Sequence, residues 1–261
     1  MTSIPFFQVD AFADRPLTGN PAAVMPLERW LEDATMQAIA AENNLSETAF
    51  TVPSDRDDAD YELRWFTPTD EVELCGHATI ASGHVLIHSD PVRFATVKAG
   101  VLTVSRRDDV LELDMRAANL SEAREPELCR ALGLPDSPVW LADGYNDAAI
   151  IEVGDEDAVL AVQPDFAALK KIRRMAVVTA PGKRQDIASR VFVSYLGIDE
   201  DPVTGSAHAA LVPYWANKLG RTEFSALQAS ARTGILHCRL DGERAVLGGR
   251  CHTVIVGQFQ L

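Results

Sequence analysis

The sequence is poor in cysteine, in positive charge and in long apolar stretches, and each shortage removes a class of protein. Its four cysteines, Cys75, Cys129, Cys238 and Cys251, are scattered through 261 residues with no CxxC pair. Neither a disulfide framework nor a zinc ribbon is indicated, and a reducing compartment fits. No run of about 18 apolar residues occurs, and the opening MTSIPFFQVDAFADR meets Asp10 before any long apolar stretch. The expectation is a soluble cytoplasmic protein with no signal peptide and no membrane partner. Lys and Arg number 24 against 38 Asp and Glu, a net charge of −14, so the whole-protein field repels nucleic acid and anionic membrane. An acidic small substrate would need a locally positive pocket. No GxGxxG, GxxxxGKS or GxSxG segment is found, which leaves dinucleotide, P-loop and α/β-hydrolase chemistry without support. His77, His84 and His88 share one helical spacing but have no acidic partner or HExxH pattern beside them. No metal and no cofactor are expected.

What is present describes a packed protein: 47% hydrophobic and 24% charged residues over 261 positions, enough for one large domain or two halves of about 130 residues. IPFFQVDAF at 4–12 reads as a strand and DRPLTGNPAAV as a turn. The spacing of Leu27, Trp30, Leu31, Ala34, Ala38 and Ala41 predicts an amphipathic helix over 27–44. Strands are expected at 48–53 and 61–68, an antiparallel meander over 92–114, a short helix over 127–134, and strands at 192–197 and through 231–259.

An internal echo fixes the architecture. DEVELCGHATIA from Asp70 and DEDPVTGSAHAA from Asp199 share Asp, Glu, Gly and two Ala, at the offset of 129 that separates Gly76 from Gly205. The same offset carries the 27–44 helix onto EDAVLAVQPDFAALKKI at 156–172. Two similar halves are therefore expected, 1–115 and 116–261, each mixing antiparallel strands with a helix that opens at the Gly motif, with the site in the cleft between them.

Gly at a helix start lets a ligand approach bare backbone, where unpaired N–H groups and the positive end of the helix dipole can hold a carboxylate without Lys or Arg. Gly76 and Gly205 are the candidate anion-binding positions; tight helix packing is the alternative. His77, in the first helical turn, could donate or accept a proton, or could simply cap or pack. Its counterpart in the second half is Ser206. Asp201 sits in the loop feeding the second helix and can reach the same pocket, although Asp before Pro also suits a plain turn. Glu47, between Leu45 and the apolar Ala49-Phe50 strand, could be desolvated enough to move protons; a solvated loop carboxylate after a Ser46 cap is the alternative.

The ordered segments FFQVDAFADRPLTGNPAAV, NNLSETAF, ELCGHAT and DEDPVTGSAHAA span nearly the whole chain, and together they resemble the PhzF-like family, named for a phenazine-biosynthesis isomerase. The resemblance implies an α+β, diaminopimelate-epimerase-like fold: two pseudo-symmetric halves, each a curved, mainly antiparallel, barrel-like sheet around a central helix. It implies cofactor-independent isomerisation of a small carboxylate-containing metabolite by a homodimer. Glu47 would shuttle the proton, His77 and Asp201 would share the catalytic set, and Ser46, Gly76, His77, Gly205 and Ser206 would bind substrate. The alternatives are an amino-acid epimerase or racemase and a carboxylate-binding protein without turnover. Related epimerases oppose one Cys from each half; here Cys75 precedes Gly76 but Thr204 precedes Gly205, which argues against a two-thiol racemase. Late in the chain, LQASARTGILHCRL from Leu227 resembles a subgroup with S-x-R-G-G, Thr233 replacing the first of its glycines, rather than the Q-G-x-x-x-G-R-P of the phenazine enzymes. That argues against the aminocyclohexadiene carboxylate of phenazine synthesis as the substrate.

Overall fold

The computed structural model describes residues 3–144 and 147–261. It divides into two compact units, one running to Asp114 and resuming at Gly248–Leu261, the other Met115–Leu247. The first contains β1 (Ser3–Ala11), β2 (Asn20–Pro26), α1 (Asp33–Asn43), β3 (Glu47–Pro53), β4 (Tyr61–Phe66), β5 (Glu71–Val72), α2 (Gly76–Leu86), β6 (Val92–Thr96), β7 (Val101–Arg107) and β8 (Val110–Arg116). The second follows with β9 (Leu120–Arg124), α3 (Pro126–Ala131), β10 (Pro138–Ala142), β11 (Ala148–Glu152), α4 (Glu156–Ala161), α5 (Phe166–Ile172), β12 (Ala176–Pro181), β13 (Ile187–Val193), β14 (Ile198–Glu200), α6 (Gly205–Leu219), β15 (Glu223–Gln228), β16 (Gly234–Asp241) and β17 (Arg244–Gly249). The final strand, β18 (Cys251–Gln260), pairs antiparallel with β1 over its length.

The echo is a topological repeat. In the first unit β1–β2 is antiparallel, β2–β3 parallel, β3–β4 and β4–β5 antiparallel, β4–β6 parallel and β6–β7 antiparallel. In the second, β10–β11, β11–β12, β12–β13, β13–β14, β13–β15 and β15–β16 repeat that series of senses in the same order. Parallel pairs need crossovers; α1 and α2 serve the first unit, and α4 with α5, then α6, serve the second.

Each unit encloses one helix made of small residues. Every residue of α2 except His84 and Val85 is buried, the pattern of a helix surrounded on all sides, and it packs on β1, β2, β3 and β7. A Cβ on Gly83 would stand 2.6 Å from Val104 Cγ1, so the Gly is what lets α2 lie against β7. Helix α6 packs on β11 and β16, with Ala207–Val212 buried.

Five expectations need correction. The helix expected over 27–44 begins only at Asp33, because the Leu27 N–H is already committed to the Thr51 carbonyl and holds the preceding segment to β3. Its counterpart at 156–172 is two helices: Pro164 interrupts it, and Asp165 caps the second by accepting from the Ala168 N–H. The strand expected at 192–197 ends at Val193 and turns through Ser194–Leu196 to Gly197, whose φ is +89°. Residues 248–261, read in sequence as part of the second half, belong to the first unit through the β1–β18 ladder. Helix α2 ends at Leu86, so His88 falls beyond it and the three-histidine helical face is not built. No helix among the described residues is long and apolar enough to cross a membrane.

Candidate active site

In the first unit, local backbone chemistry delivers four polar side chains to one place. Gly19 has φ +70°, and a Cβ there would meet the Ala11 carbonyl oxygen at 2.3 Å; only Gly fits this turn, which launches β2 with Asn20 as its first residue. Helix α1 ends on Asn44 in the left-handed region (φ 49°, ψ 37°), a conformation Asn tolerates. The chain then reverses and enters β3 at Glu47, opposite Ala22 of β2. Cys75, in extended conformation, precedes α2, and Gly76 and His77 form its first turn.

These groups form a chain of polar contacts. Ser46 Oγ donates to Asn20 Oδ1 at 3.3 Å, and Asn20 Nδ2 lies 3.3 Å from His77 Nδ1. Cys75 Sγ is 3.5 Å from the same nitrogen. The other ring nitrogen, Nε2, approaches Glu47 Oε2 at 3.2 Å, obliquely rather than along a straight hydrogen bond. The His77 side chain is 5% exposed and that of Glu47 16%, so the carboxylate is the member open to a ligand. Burial drives His77 from 6.5 to about 3. The ring is therefore neutral at physiological pH, and its contact with Glu47 is a neutral imidazole facing a carboxylate, not an ion pair.

In the second unit the residues expected from sequence gather at the start of α6. Thr204 Oγ1 donates to Asp201 Oδ2, and the loop is held by Gln228, which donates from Nε2 to the Asp201 carbonyl at 2.7 Å and accepts from the Thr204 N–H at 2.8 Å. Ser230 Oγ donates to the Pro202 carbonyl at 2.7 Å. Gly205 is buried and Ser206 half-buried. His208, fully buried, contacts the Thr204 carbonyl through Nδ1 at 2.8 Å and is lowered by burial to about 4. Thr233 stands in the left-handed region with φ 57°, which is costly for a β-branched residue.

Ser46, Glu47, Gly76 and His77 thus come together in one unit, and Asp201, Gly205 and Ser206 in the other. Two further polar residues were not singled out in the sequence. Asn20 lies inside the GNPAAV segment. Gln228 continues the inward parity of Phe224 and Ala226 in β15, and a polar residue on the buried face of an alternating strand is the signal that would have found it. Glu47, Cys75 and His77 each offer an atom within 4.8 Å of the other two, a spacing that could hold a metal ion. Yet the thiol faces Nδ1 and the carboxylate faces Nε2, so the imidazole lies between them instead of all three converging on one point.

The repeat is chemically one-sided. The left-handed helix caps Asn44 and Arg173 and the helix starts Gly76 and Gly205 stand at the same offset. At that offset Ser46 corresponds to Met175, Glu47 to Ala176, Cys75 to Thr204 and His77 to Ser206. The second copy retains the backbone of the motif and none of its ionisable side chains.

A family model described as phenazine biosynthesis-like protein matches residues 9–257. An uncharacterized isomerase of Pseudomonas aeruginosa is 49% identical over 265 residues, covering 99% of each chain. The crystal structure of a phenazine biosynthesis protein of the PhzF family from Enterococcus faecalis superposes with a TM-score of 0.90 at 41% identity, over 100% of both chains. A hydroxyproline epimerase from Agrobacterium vitis, at 14% identity and a TM-score of 0.62 over 98% of this chain and 92% of that one, shares the fold. The α+β, diaminopimelate-epimerase-like class implied by the motifs is the class observed.

Proposed function

Because the chain belongs to the phenazine biosynthesis-like protein family and is an isomerase, we propose that it moves a proton within a small carboxylate-bearing metabolite, without a cofactor, using Glu47 as the shuttle. The observation that carries this reading is the partly open Glu47 carboxylate held 3.2 Å from the buried, neutral His77. Glu47 takes a proton from carbon; the C–H electron pair enters the neighbouring unsaturated system and the double bond moves. The resulting carboxylic acid, open enough to exchange its proton with solvent, delivers a proton to a second carbon, so charge balances over the cycle. His77 stays neutral throughout, because its ring accepts a further proton only near pH 3, and so it orients Glu47 instead of titrating. Ser46 and Gly76 bind the substrate beside Glu47, and Asp201, Gly205 and Ser206 are the substrate-binding residues proposed for the second unit.

Glu47→Gln tests this. In heavy water with a panel of carboxylate metabolites, the native enzyme incorporates deuterium into at least one member, and the variant loses that exchange by about 10²–10⁴-fold with unchanged circular dichroism and ligand binding. Retained exchange rejects the role of Glu47, and binding without any exchange in the native protein identifies a carboxylate-binding protein instead. A second reading, epimerisation at an amino-acid α-carbon, is favoured by one observation: Cys75 Sγ sits 3.5 Å from His77 Nδ1, inside the same cluster. Cys75→Ser separates the two, since a thiol-dependent epimerase loses turnover and the Glu47 isomerase keeps it.

A further inference from the structure

We propose that Asn20 is a positioning residue that fixes which nitrogen of His77 carries the proton, so that Nε2–H is presented to Glu47. The inference rests on the proton-shuttle reading for its catalytic meaning, but the tautomer itself is a property of the ligand-free protein. A neutral imidazole has one donor and one acceptor nitrogen, and the partner of one dictates the role of the other. His77 is neutral because it is fully buried. Its Nδ1 is approached by the Asn20 amide nitrogen, which can only donate, at 3.3 Å, and by the Cys75 sulfur, which can donate or accept, at 3.5 Å; a nitrogen facing an amide N–H must be the bare one. In this orientation of the Asn20 amide, Oδ1 accepts from the Ser46 hydroxyl at 3.3 Å and Nδ2 is left for His77; the reversed amide would place Oδ1 against Nδ1 and turn the Nε2 lone pair toward Glu47. Asn20 is fully buried, and Gly19 holds the backbone that aims it. The proton is thereby confined to Nε2, 3.2 Å from Glu47 Oε2.

The opposite tautomer would turn a lone pair toward the carboxylate, repelling the ionised form of Glu47 that the reaction requires. Ser46, beside the substrate contact proposed for it, also donates to the Asn20 amide.

Nitrogen-15 NMR of histidine-labelled protein at pH 7, with the His77 signals assigned by their loss in His77→Gln, tests the proposal. In the native protein Nδ1 is expected to resonate as the unprotonated nitrogen and Nε2 as the protonated one. Asn20→Asp places an acceptor at Nδ1 and is expected to invert that pattern; Ser46→Ala, the milder change, frees the amide to turn and is expected to give a mixture. A protonated Nδ1 in the native protein overturns the proposal even if no variant folds, as does an Asn20→Asp protein that keeps Nε2–H. Inversion should also lower turnover, by up to the roughly 10⁴-fold that a wrong tautomer costs a catalytic imidazole. If the native tautomer is as drawn yet Glu47→Gln leaves proton exchange intact, the shuttle falls and the assignment of Asn20 stands.

Discussion

Two fully buried histidines, one in each unit, should make this protein lose stability in mild acid, where most carboxylates are still ionised. His77 is lowered to about 3 and His208 to about 4, burial being the leading cause in both. Each folded-state value lies below the unfolded value of about 6.5, so on acidification the unfolded chain takes up protons first. The stabilising contribution is complete above about pH 6.5, falls as pH drops below it, and is exhausted once the folded-state values are passed. Between pH 7 and 4.5 each histidine should cost roughly 2–3 kcal/mol, about 5 kcal/mol together, against a total stability of about 5–15 kcal/mol for an ordinary domain. Urea unfolding at half-unit steps of pH would measure this, comparing the native protein with His77→Asn and His208→Asn. The native curve should steepen below pH 6.5, and each variant should recover its own share of the slope whatever its stability at pH 7. Parallel curves for all three proteins over that range would refute the reasoning.

Two substitutions should move stability in opposite directions. Gly83→Ala puts a methyl 2.6 Å from Val104 Cγ1 and should destabilise by about 1–3 kcal/mol, seen as a lower urea midpoint with unchanged slope. Thr233→Gly relieves a β-branched residue at φ 57°; the relief of about 1–2 kcal/mol, less the extra backbone entropy of Gly, should leave a gain of about 1 kcal/mol. A lower thermal midpoint for Thr233→Gly would contradict that account.

The parts of the fold legible in the sequence are those with a local cause. The meander over 92–114 appears as β6, β7 and β8, because alternation and the KAG and RRDD breaks are local. The two small-residue helices begin at Gly76 and Gly205, as their motifs imply. What was hidden depends on distant partners. Leu27 has helical spacing, but a strand amide contact claims it before helix α1 can start. The return of β18 to β1 pairs Ile4 with Phe259, and no local pattern encodes a partner at that separation. In the site, Glu47 and His77 stood out as ionisable residues beside helix and strand boundaries. Asn20 and Gln228 did not, because an amide becomes informative only when its buried partners are known.

A base carried by one copy of a duplicated scaffold can reach a planar substrate from one side only. On the proposed shuttle, with Ala176 standing where the second copy would place its own Glu47, one carboxylate takes and returns the hydrogen on the same face, a suprafacial transfer. Inverting a stereocentre instead demands delivery from the opposite face. The proposed single base would therefore tie the face of departure to the face of return before any detail of the ligand is specified.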